Sequence, residues 1–577
     1  MEKELNHIEL FAGCGGMSLG MDAAGFNLLF ANELSPMAGE TFAYNILRED
    51  IQNKIIDNEL PEKVLWVRSN LPVTNLHQRL NENPFETKDG VYSDIDAHTN
   101  LEGKLLIGNI DHLLEYLEAN NQVVAELQAK NVDLISGGPP CQSFSLAGKR
   151  EKNNEKNQLP LSFSRFAGLV QPKTVLLENV KGITSPFAEG GHKYYAWLEV
   201  SKAFALEGFV PICMMLNSKY FGVPQNRPRF IMIAYRVDIF NELLANNAGN
   251  KILLKSLSFY NKVLQHQGYL ENVTTKDLKY YDIETSPELF DGIILPRITC
   301  VERNFITTYE AIGDIRKTQW KYKINQTKGK YANSLNDIFP NEAFKDAFLK
   351  NHDPRNHDFA VQSRFRFYQV IEQFQNGLKK GAVDLFTGKD VSDELKQKLF
   401  KEFSQYSLLF KDVKGRPVSM VPKDIDEVKT LVKSIPTKKH SQRSLREFEP
   451  APAQLTIPDD LCHFDAEQPR TLTVREMARF QSFPDWFEFR SKVTTGGDMR
   501  KFQVPQYTQV GNAVPPLLSK AWAEHLFTYL NDNHSCKLNL TNTIEQQLFH
   551  AKSKAGINNN DEIKLFRFQS IEFKEKE

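Results

Sequence analysis

Apolar residues in this chain fall into short, nearly continuous runs rather than long alternating stretches. Residues 8–11, 27–32, 104–110, 132–135, 174–177 and 230–235 are each dominated by Ile, Leu, Val, Phe or Met. Runs of this length, bounded by glycine, proline or polar residues, predict strands buried on both faces, the habit of a parallel sheet. The first run feeds Ala12-Gly13-Cys14-Gly15-Gly16, a glycine turn that predicts a helix start directly after a strand. Residues 48–103 are polar and carry no clear period, and they read as an insertion.

The residues just past the strand ends give the pattern its interest. Gly13, Gly15 and Ser18 fit the dinucleotide spacing only loosely, so the turn alone is weak evidence for a ligand at a helix N-terminus. Glu33 ends the second strand about 20 positions on, where a carboxylate can hold both ribose hydroxyls or simply face water. Asn109 ends the third, as an adenine partner or a turn residue. The fourth runs into Gly137-Gly138-Pro139-Pro140-Cys141. The two prolines stiffen the approach to the thiol just beyond a strand end, where open α/β sheets bind ligands. A thiol there is either a nucleophile or a buried cysteine beside a turn. Glu178 ends the fifth strand, either as a buried carboxylate, which suits a proton donor, or as an exposed loop glutamate. Arg227 and Arg229, two apart in an extended stretch, point the same way and either face one anionic or carbonyl-rich group or form a solvated edge.

Composition narrows the class. The 577 residues are 41% hydrophobic and 25% charged, enough for a sizeable core and more than one domain. The net charge of -1 gives no global signature of nucleic-acid binding, so any such surface must be local. The six cysteines are scattered without a CxxC pair, which argues against a zinc site or a disulfide framework. No apolar run approaches the roughly 18 residues of a membrane span, and Met1-Glu2-Lys3-Glu4 begins no signal sequence. The expectation is a soluble protein of a reducing compartment.

These residues closely resemble the DNA C5-cytosine methyltransferase family. The resemblance is carried by FAGCGG (11–16), GGPPCQSFS (137–145), ENV (178–180), QNRPR (225–229), RTLTVREMARFQSFPDWF (470–487) and QVGNAVPP (509–516), in the family's order. It implies a Rossmann-like fold: a doubly wound, mainly parallel α/β sheet with a smaller, irregular target-recognition domain. Cys141, Glu178, Arg227 and Arg229 would then be catalytic. The thiolate would attack cytosine C6, Glu178 would hold and protonate N3, and Arg227 would bond O2 with Arg229 in support. Phe11, Gly13, Cys14, Gly15, Gly16, Glu33, Asn109, Ile110, Pro139, Asn512 and Ala513 would line the site for S-adenosylmethionine, the methyl donor, and no metal is required. Asn109 stands where the family usually has aspartate, and Pro228 where glutamate is common.

The resemblance also implies an organisation. A catalytic domain would span 1–319, with 48–103 inserted. A recognition domain would span 320–467, 468–534 would return to complete the catalytic domain, and 535–577 has no assigned role. The recognition region is rich in basic and aromatic residues suited to phosphate contact: His352, Arg355, His357, Arg364 to Tyr368, Lys438 to His440 and Arg443 to Arg446. The implied partner is double-stranded DNA, with the target base flipped from the stack. A paired restriction endonuclease, a monomeric state and a bacterial cytoplasmic location complete the expectation. Two rivals remain. One is a tRNA C5-cytosine methyltransferase, which the long region after QNRPR disfavours. The other is a non-catalytic DNA-binding protein on the same scaffold, which intact Cys141, Glu178, Arg227 and Asn512 disfavour.

Overall fold

Six of the apolar runs meet side by side. In the computed structural model they form most of a nine-stranded sheet. Its strands are β1 (Leu5–Leu10), β2 (Phe26–Glu33), β3 (Val64–Trp66), β4 (Lys104–Ile107), β5 (Leu134–Gly137), β6 (Thr174–Val180), β7 (Phe209–Asn217), β8 (Pro228–Arg236) and β9 (Tyr280–Asp282). The spatial order is β9-β7-β8-β6-β5-β1-β2-β4-β3. The structure describes residues 5–87, 89–140, 158–189, 192–318, 321–375, 377–437 and 442–532. Cys141, the basic run 438–440 and the tail 535–577 lie outside the described residues.

From β6 to β3 every neighbouring pair is parallel, and only β8 runs antiparallel to its two neighbours. The chain leaves β1 toward β2 on one side and later builds β5 and β6 on the other. The sheet therefore reverses direction of growth between β1 and β5, the position at which open α/β sheets bind ligands. The register is tight there: Leu10 pairs with Gly137, and a Cβ on Gly137 would stand 2.7 Å from the Leu10 carbonyl oxygen.

Both faces of the sheet are covered. Successive residues of β4 alternate between cores, Leu106 joining one cluster and Leu105 and Ile107 another, as the twofold period of a strand requires. The larger cluster includes helices α2 (Ile110–Ala119), α3 (Leu159–Val170) and α4 (Ala196–Leu206), together with the final helix α7 (Pro516–Asp532). The last of these seats against α1 (Gly16–Asp22): Ser519 donates to the Met17 carbonyl at 2.8 Å. Gly20 is required at this crossing, because a Cβ there would lie 2.4 Å from the Pro516 carbonyl oxygen.

Two further apolar clusters lie downstream. One joins residues 311–339 to 445–513, and so holds parts of both the expected recognition region and the returning segment. The other is a helical cluster from Phe365 to Ile435, closed by Cys462. Residues 48–103 are more ordered than their polar composition suggests. They contain a short helix, Ile51–Ile56, and supply β3 as the edge strand of the sheet. The rest folds back on β3 through Arg79, whose guanidinium pairs with Asp94 at 2.7 Å and lies 5.2 Å from the Trp66 ring centre. No helix among the described residues is long and apolar enough to cross a membrane.

Candidate active site at the sheet reversal

Beyond β1 the chain turns sharply. Phe11 has φ 55°, a conformation costly for a side chain with a Cβ, and Gly13 (57°) and Gly15 (94°) are also left-handed. The turn makes room. Among the described residues a Cβ on Gly13 would meet nothing within 4 Å, whereas one on Gly16 would collide with the Val514 carbonyl oxygen at 2.3 Å. Gly13 thus borders an open cradle, while Gly16 serves close packing against the returning chain. Cys14 points away from the cradle: it is buried, its thiol facing the Gln509 carbonyl at 3.9 Å, and burial pushes its pKa up.

Glu33 closes the cradle from β2. Its carboxylate accepts from Gly13 N and Ser35 N, both at 2.8 Å, and burial raises its pKa against these two bonds. A carboxylate offers about four lone-pair positions, so two bonds leave acceptor capacity for a hydroxyl. Asn109 caps α2 through its side-chain oxygen, which accepts from Asp111 N at 3.0 Å, and Ile110 behind it is buried. Asn109 therefore has a structural duty that its position at a strand end does not reveal.

On the other side of the reversal, Glu178 lies near the end of β6 rather than at it, since the strand runs two residues further to Val180, and it is nearly buried. Its Oε1 pairs with Arg229 Nε at 2.8 Å, and its Oε2 faces Gly138, where a Cβ would come within 3.0 Å. Among the described residues Oε2 has no hydrogen-bond partner. Asn179, the next residue, donates to the Pro139 carbonyl at 2.9 Å. This bond fixes the stiff Gly138-Pro139-Pro140 segment against β6, immediately before Cys141.

Arg227 and Arg229 part company. Arg227 lies between the short strand Gln225–Asn226 and β8, outside regular alternation. Its guanidinium is buried and donates to the carbonyls of Gln454 (3.3 Å), Gly511 (2.9 Å) and Ala513 (3.2 Å). Burial lowers its pKa first and the Arg229 charge second, with Glu178 opposing both. Arg229 instead meets Glu178, so the structure brings Glu178 together with Arg229 rather than with Arg227. Through its carbonyl bonds Arg227 ties α6 (Gln506–Asn512) and Ala513 to the sheet. Asn512 itself is exposed at the end of α6.

Sequence reasoning did not single out three glutamines that complete this joint. Gln225 donates to the Phe480 carbonyl and to Gln481, both at 2.9 Å, and accepts from Gln454 N at 2.8 Å. Gln481 in turn donates to the Val510 carbonyl at 2.6 Å. The signal was present in QNRPR and ARFQSFP, whose glutamines are buried polar groups in need of partners.

The basic and aromatic residues expected to face DNA are mostly occupied within the fold. His352 is buried between Thr473 and the Ile315 carbonyl. His357 bonds Thr471 and Arg355 pairs with Asp459. Arg364 donates to the Pro436 carbonyl, Arg366 to that of Ser407, and Phe365, Phe367 and Tyr368 are core. Arg446 pairs with Glu372 and Glu449.

The C-5 cytosine-specific DNA methylase family model matches residues 5–65 and 109–528. The chain belongs to the C-5 cytosine-specific DNA methylase family. As a member it is a DNA cytosine-5 methyltransferase, and the family's methyl donor is S-adenosylmethionine. The open cradle at Gly13, with Glu33 retaining acceptor capacity at its edge, fits the ribose end of such a donor. The chain is 24% identical over 530 residues to the type II methyltransferase M.DdeI of Desulfomicrobium norvegicum, covering 92% of this chain and 90% of that protein. It is 26% identical over 525 residues to the type II methyltransferase M1.HphI of Haemophilus parahaemolyticus, covering 90% and 86%. Among solved structures, the Dnmt2 methyltransferase of S. pombe aligns over 92% of this chain and 100% of its own, at 13% identity and a TM-score of 0.38.

Proposed function

We propose that this methyltransferase modifies cytosine C5 within one short duplex sequence, as the protecting partner of a type II restriction endonuclease. The target base leaves the stack to reach the crevice between β1, β5 and β6. The observation that carries the reading is the Glu178–Arg229 pair, facing Gly138 and set beside the segment that leads into Cys141.

Cytosine C5 is a poor nucleophile until its ring is activated. The Cys141 thiolate adds to C6, electron density moves to C5, and N3 takes up a proton. Glu178 Oε2, free of protein partners among the described residues, holds N3 and the exocyclic amine and supplies that proton. Arg229 takes the O2 contact, because Arg227 is committed to three carbonyls and acts as the clasp of the returning segment. C5 then accepts the methyl group, which S-adenosylmethionine supplies from its sulfonium. A base removes the C5 proton, elimination returns the thiolate, and N3 gives its proton back to Glu178. The reaction balances without a metal.

Phe11, Gly13, Gly15, Glu33, Asn109, Pro139 and Asn512 would form the donor's surroundings. Ile110, Cys14, Gly16 and Ala513 support that wall from behind. Residues 320–467 act as the recognition domain between catalytic parts 1–319 and 468–534, in a protein that works as a monomer in the bacterial cytoplasm.

The test is to express the protein in cells lacking cytosine methylation and map 5-methylcytosine, with Cys141→Ala alongside. Methylation at one motif, absent from the variant, is the expected result. Unmodified DNA from folded protein would sink the reading, and methyl transfer to bulk tRNA would replace it with an RNA enzyme.

A further inference from the structure

One basic run lies away from the motifs. Residues 316–330 contain six Lys or Arg and no Asp or Glu, in a chain whose totals of 71 basic and 72 acidic residues nearly cancel. Part of this run pairs with residues 346–350. Lys323 and Phe348 form an antiparallel bridge, flanked by Ile324 N donating to the Ala347 carbonyl at 3.0 Å and Leu349 N to that of Tyr322 at 2.8 Å.

This ribbon has two unlike faces, as strand alternation dictates. Tyr322, Ile324, Ala347 and Leu349 point inward and pack into the core around 311–339 and 445–513. Lys321, Lys323, Phe348 and Lys350 share the opposite face. Phe348 is 51% exposed, and Lys323 Nζ stands 5.8 Å from its ring centre. Asn325 and Asp346, bonded to each other at 2.6 Å, close the far end. Among the described residues no carboxylate pairs with Lys321, Lys323 or Lys350, unlike Arg355, Lys379 or Arg446 further along the chain.

We propose that this ribbon is a contact surface for the phosphate backbone of duplex DNA. The inference rests on the proposed duplex-DNA substrate and names where the positive charge of a neutral protein gathers. Three ammonium groups without a carboxylate partner among the described residues, on one face with an exposed ring, suit a polyanion with apolar sugars. The arginine-rich run 364–368 cannot serve, because its side chains are spent on carbonyls and core.

The test uses the full chain with Lys321→Gln, Lys323→Gln and Lys350→Gln combined. Binding to a short duplex containing the mapped motif is measured as salt rises from about 50 to 200 mM. Each lost phosphate contact makes the slope of log affinity against log salt shallower by about 0.9. The triple variant should therefore lose up to about 2.7 from its slope, with a higher KM for DNA, the parent's kcat at saturating DNA and the parent's unfolding temperature. A slope equal to the parent's overturns the proposal, as does a slope lost for tRNA but kept for duplex DNA. Single variants, each losing up to about 0.9, read the same quantity if the triple does not fold. Parental protein that methylates no DNA would break the reading beneath it, a separate result.

Discussion

Two glutamate–arginine pairs in this molecule look alike and behave oppositely. Glu476, at the start of α5 (Val474–Phe480), meets Arg470 through both oxygens, at 2.7 and 2.8 Å. It also accepts from Thr473 N at 2.8 Å, completing a capping box, and His463 lies 3.5 Å away. The carboxylate is fully buried, yet Arg470 holds its pKa down to about 2 against the cost of burial. Glu178 has one arginine contact and an oxygen turned to a glycine. The difference is saturation. A buried carboxylate with both oxygens hydrogen-bonded is scaffold, and one with an idle oxygen beside a strand end is available to a ligand.

That contrast predicts opposite phenotypes. Glu178→Gln should cut kcat by about 10²–10⁴, the usual worth of a positioned acid–base group, while leaving the unfolding temperature within a degree or two of the parent. Single-turnover methyl transfer with thermal denaturation alongside measures both. A variant that lost stability in step with activity would put Glu178 in the scaffold too. Glu476→Ala should do the reverse. Removing one partner of a buried pair leaves Arg470 uncompensated, at about 3–5 kcal/mol. Urea unfolding should show that loss, and residual folded protein should turn over normally.

Acid sharpens the same comparison. Burial holds His463 neutral, its pKa lowered to about 4, whereas the unfolded residue takes up a proton near pH 6.5. Between those values the unfolded state binds more protons, so this contribution is complete above pH 6.5 and fades as pH falls toward 4. It amounts to roughly 3 kcal/mol if fully expressed. Glu476 adds a second window, its contribution present above about 4.5 and lost as pH falls toward 2. His463→Asn should flatten stability between pH 6.5 and 4 and leave most of the lower window in place, because Arg470 lowers the Glu476 pKa more than His463 does. Unfolding curves across that range that matched the parent's would place the acid sensitivity elsewhere, with buried His7 the next group to replace.

How much of the molecule could be read from the chain depends on what carried the signal. Six strands were legible because burial on both faces leaves unbroken apolar runs. Strand β7 was not, since Pro211 interrupts its run; nor was β3, whose three residues are too short to show a period. The candidate site residues could be picked out as types near strand ends, but the partners they take within the fold could not. Arg227 and Arg229 look equivalent until the returning segment arrives with carbonyls for one and not the other. The arginine-rich run 364–368 misled for the same reason: charge in sequence says nothing of whether a carbonyl from residue 407 or 436 will claim it. The lysines at 321, 323 and 350 became a surface only when two distant segments paired.

Asn109 sits between the two extremes, its oxygen half spent on Asp111 N and its position at the rim of the cradle. Aspartate, the family's usual residue here, caps a helix about as well as asparagine. Asn109→Asp should therefore change stability by no more than a few tenths of a kcal/mol. It would also offer an ionised acceptor to the adenine amine, and charge-assisted bonds are roughly twice as strong as neutral ones. Donor affinity should rise by less than about tenfold, with kcat unchanged, when titrated by calorimetry. A weaker donor in the variant would mean that the amide nitrogen of Asn109, rather than its oxygen, faces the ligand, and a half-saturated side chain would then be reporting which half matters.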